Sequence, residues 1–118
     1  MPLIVVLETP YEGKRSTNKK RDSKYIRKCI MECLFNYREI PIPSHLFYDK
    51  LIKNKKKRGI ESYLAMIDRP ADATIVYMNL GISNEMNLGV EKAIKANRAI
   101  EYRNLRESAK LDLEDMAN

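Results

Sequence analysis

Ala73–Ala93 reads ATIVYMNLGISNEMNLGVEKA, and the change of period inside it decides the fold. Its first seven residues, Ala73–Asn79, run apolar or β-branched almost without a break, as a strand buried on both faces does. The turn that contains Gly81 then opens a helix near Ser83. Apolar side chains then return at Met86, Val90, Ala93 and Ile94, one face of a helix over about residues 83–96. A strand, a tight turn and a helix make half of a βαβ unit.

Working outward, the same alternation recurs. Leu3–Glu8 (LIVVLE) reads as a second buried strand, broken by Thr9-Pro10-Tyr11-Glu12-Gly13. From Asp22 or Ser23, each a fair N-cap, apolar residues at Ile26, Cys29, Ile30, Cys33, Leu34 and Tyr37 mark a helix of about four turns. Ile40-Pro41-Ile42-Pro43 is a brief strand ending in a rigid turn, and residues 60–68 (IESYLAMID) are helical until Arg69-Pro70. Ala99–Tyr102 is a short strand, and Leu105, Ala109 and Leu113 suggest a closing helix. The expectation is an α/β fold: a small Rossmann-like (flavodoxin-like) parallel sheet with helices on both faces, one domain over residues 1–118. Met66, Met78 and Met86 are expected in its core. Such sheets bind ligands beyond the carboxyl ends of their strands, where strand order reverses. Three loops should therefore share one rim: Thr9–Gly13, Pro43–Tyr48 and Asn79–Met86.

Composition narrows the partners. The net charge of +6 is concentrated in two runs, Lys14–Lys28 and Lys50–Arg58. They are either solvated loops or an electropositive rim for phosphate. Aromatic residues scarcely interleave with them, Tyr25 alone falling inside, so nucleic-acid binding is the lesser alternative. No apolar window is long enough to cross a membrane, and the first residues lack the basic stretch of a signal peptide, which points to a cytoplasmic protein. Cys29 and Cys33 lie one helical turn apart without further ligands, so they read as buried thiols and no metal is expected. Neither GxGxxG nor a P-loop occurs, and no cofactor is expected.

Three motifs, in order and at suitable spacing, carry a resemblance: Thr9-Pro10-Tyr11 after the first strand, Ile-Pro-Ile-Pro-Ser-His-Leu over residues 40–46, and Ser83, Met86 and Ala93 after ATIVYMN. Together they resemble the nucleoside 2-deoxyribosyltransferase-like family over about residues 3–103. The resemblance implies a pocket for a nucleoside or nucleotide and chemistry at an N-glycosidic bond. It also implies a homodimer or higher homo-oligomer. In that family a helix glutamate six residues beyond the serine attacks the anomeric carbon, and the serine meets a 5′-phosphate at the helix N-terminus. Here the sixth position is Gly89.

The expected function is accordingly binding of a nucleoside or nucleotide without the usual nucleophile. The alternative is an active N-glycosidase or transferase that uses Glu85 or a carboxylate lent by a neighbouring subunit. Glu85 otherwise serves as a first-turn acid favoured by the helix dipole. Glu91 is two positions past Gly89, about 200° round the helix, and should face away. Candidate ligand-binding residues are Thr9, Pro10, Tyr11, Gly13, His45, Asn79, Gly81, Ser83, Asn84 and Met86.

Overall fold

The computed structural model describes residues 2–10, 19–47 and 59–106. They form β1 (Leu3–Glu8), α1 (Lys19–Phe35), β2 (Glu39–Pro43), a 3₁₀ turn (Ser44–Phe47), α2 (Ile60–Met66), β3 (Ala73–Tyr77), α3 (Asn84–Lys95) and β4 (Ala99–Arg103). The four strands make one sheet in the order β2-β1-β3-β4, and every neighbouring pair is parallel. This is the α/β architecture with helices on both faces that the alternation predicts.

Parallel strands demand crossovers, and right-handed crossovers fix the face each helix covers. The chain steps from β1 outward to β2, then back past β1 to β3 and β4, so α1 must lie opposite α2 and α3. The packing agrees. Val5, Leu7, Ile75 and Tyr77 face α1 and meet Tyr25, Cys29 and Cys33, with Leu105 closing the cluster. The alternate residues face the other way, where Ile4 and Ile42 pack on Leu64 of α2. Both thiols are free and fully buried, and burial pushes each well above the ordinary cysteine value.

Several local expectations need correction. Asp22 lies within α1 rather than capping it, and Leu34 and Tyr37 are exposed while Tyr25 and Glu32 are buried. Those polar groups are buried because they are bonded. Tyr77 Oη donates to Glu32 Oε1 at 2.7 Å, and Tyr25 Oη donates to Asn79 Oδ1 at 2.8 Å. Met66 is 85% exposed because α2 ends there, before a left-handed Asp68. Met78 is half-buried, and Ile94 faces solvent because α3 turns Met86, Gly89 and Ala93 inward. β3 stops at Tyr77, two residues short of the expected Asn79. Residues 104–106 are not helical, and the rest of the expected closing helix lies outside the described residues.

Candidate functional site

Strand order reverses between β1 and β3, and sheets of this kind take ligands beyond the carboxyl ends of such a pair, here past Thr9 after β1 and Asn79 after β3. The last residue of β1 is an acid. Glu8 ends an otherwise apolar strand, is 3% exposed, and points to the face that α3 covers. Its Oε1 accepts a 2.7 Å hydrogen bond from Ser44 Oγ, at the start of the 3₁₀ turn after β2. On its other side stands Gly89. A Cβ built on Gly89 would overlap the Glu8 carboxyl group, so the glycine is what admits the acid beneath α3.

Burial raises the Glu8 pKa from 4.5 to about 7, against the Ser44 hydrogen bond and the positive charges of Lys92 and Arg98, which pull it down. Arg98 is itself held, donating to Glu61 at 2.6 Å and to Thr74 at 3.3 Å. The result is a carboxyl group able to exchange a proton near neutrality. Beside it in sequence, Thr9 is 4% exposed, and its hydroxyl has no hydrogen-bond partner among the described residues.

Other expected site residues fall as follows. Asn79 follows β3; its Oδ1 accepts from Tyr25 Oη and from the Leu105 amide, both at 2.8 Å, while its buried Nδ2 has no partner among the described residues. Ser83 caps α3: Oγ accepts from the Met86 amide at 3.2 Å, and the Met86 sulfur accepts from the Ser83 amide at 3.4 Å. Met86 is thus buried beneath the rim as packing and cap. Gly81 sits at φ +89°, a conformation that favours glycine, and forms an exposed turn with Asn84 and Glu85 just beyond it. Glu91 is exposed as well. Pro10 and His45 are half-buried at the same carboxyl edge. Tyr11 and Gly13 lie outside the described residues, as do Lys14, Arg15 and the whole run from Lys50 to Arg58.

Among the described residues no three His, Cys, Asp or Glu side chains gather to hold a metal, and no helix is long and apolar enough to cross a membrane. A separate hollow of about 630 Å³, lined by Leu3, Leu34, Tyr37 and Ile40 among others, lies at the opposite, amino-terminal edge of the sheet. It is shallow, and Arg38 and Glu39 also line it.

Residues 3–103 match the family described as a domain of unknown function, DUF7768. The chain belongs to that family. No curated protein and no solved structure matches it. In this DUF7768 domain the described parts of the three loops lie at the carboxyl edge of the sheet, and sequence reasoning did not single out Glu8 or Ser44. The signal for Glu8 was present, since a charge closing a fully apolar strand is rarely buried without a task.

Proposed function

We propose that this DUF7768 domain binds a nucleoside or nucleotide, and that it belongs with the deoxyribosyltransferase-like proteins it resembles. The observation that carries the reading is the composition of the crevice at the β1/β3 reversal. Polar groups on Thr9 and Asn79 without a partner among the described residues, a buried acid and a capped helix start all lie at the edge where such sheets take ligands. Binding is preferred over catalysis because residue 89 carries no side chain. The acid that fills its space is tied to Ser44, and its burial favours the protonated form. A pocket without a committed nucleophile keeps binding energy and loses the transition-state stabilisation that sets the rate.

Calorimetric titration with nucleosides and nucleoside 5′-monophosphates, followed by chromatography for free base, tests this. The expected outcome is binding of at least one of them with no base released. Glu85→Gln should leave affinity within a few-fold, because Glu85 is exposed in the first turn of α3. Base release by the natural protein that vanishes in Glu85→Gln would make it an enzyme and overturn the binding reading.

A further inference from the structure

The binding reading leaves Glu8 without a task, and the acid is costly to bury. A leucine at position 8 would continue the run LIVVL with no desolvation penalty. Instead a carboxyl group is enclosed by three elements. β1 carries it, Ser44 of the 3₁₀ turn donates to its Oε1, and Gly89 of α3 leaves no room between helix and carboxyl group even for a methyl. Met86 and Ala93, a turn to either side of Gly89, are buried as well, so α3 is pressed onto the sheet where the acid lies. Such an enclosure suits the neutral acid. An ionised Glu8 would keep Ser44 as its hydrogen-bond donor among the described residues, while Arg98 is already bonded to Glu61 and Thr74. Water reaches the carboxylate only if α3 lifts.

We propose that Glu8 is a proton-operated latch for α3: protonated, it lets the helix seat on the sheet, and ionised, it draws water beneath the helix and loosens it. Ser83 and Met86 ride on α3, so the latch sets how firmly that part of the rim is held. No ligand enters this inference, which stands apart from the nucleoside reading. With α3 seated, burial holds the Glu8 pKa at about 7; with α3 lifted, the group returns towards its ordinary 4.5. The seated form therefore binds the proton more tightly. Its seating is full below pH 4.5, weakens as pH rises towards about 7, and then levels off. Between those limits the opening constant rises by at most about tenfold per pH unit. The groups around Glu8 that carry or can gain charge are Lys92 on α3, Arg98 ahead of β4 with its partner Glu61 on α2, and His45 beside Ser44. His45 titrates in the same range and must be separated from Glu8.

The experiment is amide hydrogen exchange of the full chain without ligand, between about pH 5 and 8.5, corrected for the intrinsic pH dependence of exchange. Amides of α3 from Gly89 to Ala93 should exchange faster than those of β1 and β3, because the helix lifts while the sheet stays folded. Their protection should fall several-fold or more from pH 5 to 7 and then level off. Glu8→Gln keeps the shape of the side chain but cannot ionise, so it should flatten the response. Ser44→Ala removes a bond that favours the carboxylate, so it should move the levelling point to higher pH. That variant decides the matter if Glu8→Gln fails to fold. A pH response that survives in Glu8→Gln, or a levelling point unmoved by Ser44→Ala, assigns the effect to His45 and overturns the proposal. Protection in α3 that is independent of pH in the natural protein overturns it too. So do α3 amides that exchange no faster than those of β1 and β3, since the helix would then leave only with the whole fold.

Discussion

Gly89 lies mid-helix, where replacing glycine with alanine ordinarily stabilises by about 0.5–1 kcal/mol. Here the sign should reverse. The added methyl would meet the Glu8 carboxyl group, which is closed in by Ser44 and by α3 itself. Gly89→Ala is expected to lose about 1–3 kcal/mol in urea denaturation, the usual cost of overpacking. In a Glu8→Ala background the same change should become neutral or favourable, because the obstruction is gone. Equal losses in both backgrounds would mean that α3 is strained by something other than Glu8.

At the scale of the element, α3 shows how local rules place a rim residue. Ser83 is in extended geometry, with φ −80° and ψ 169°, and its hydroxyl satisfies an amide that the first turn leaves open. Ser83→Ala should cost about 1 kcal/mol of stability by thermal or urea unfolding, whether or not a ligand is present. A loss well below that would show the cap to be carried by the Met86 sulfur and water. Elements of this kind were legible in the sequence. β1, β2, β3, β4 and α3 all form where period and turn residues put them, to within two residues at their ends. The inward face of α1 was less legible, because apolar periodicity cannot announce a buried Glu32 or Tyr25. Their burial depends on Tyr77 and Asn79, which another strand and loop deliver. For the same reason Met66 and Ile94, apolar by type, lie exposed where no element covers them.

Across the whole molecule, Arg103 at the end of β4 joins groups from distant parts of the chain. Its guanidinium donates to both oxygens of Glu39 at 3.0 and 3.2 Å and to Glu101 at 2.7 Å, and it lies 3.6 Å from the centre of the Tyr37 ring. Glu39 begins β2, at the other edge of the sheet order, so one buried ion pair ties the first outer strand to the last. Arg103→Met should cost about 3–5 kcal/mol in chemical denaturation by leaving Glu39 buried and unpaired. Adding Glu39→Leu should recover most of that loss. If it recovers none, the lost stability lies in the contact with Tyr37. The candidate site is an arrangement on this same scale, which is why the sequence disclosed only part of it. Its loops follow from topology alone. The pairing of Glu8 with Gly89 joins the first strand to the third helix and becomes visible only once both are packed.

β2 has one further consequence, for how copies of this chain behave when crowded. It is an outer strand whose neighbour is β1, and residues along a strand direct their amides alternately to its two sides. Pro41 and Pro43 have the same parity and no amide hydrogen, so they belong on the side away from β1. That side therefore lacks two of the donors that a further strand would need. Among the described residues that edge is unpaired, and its own composition disfavours lengthening of the sheet there by another chain.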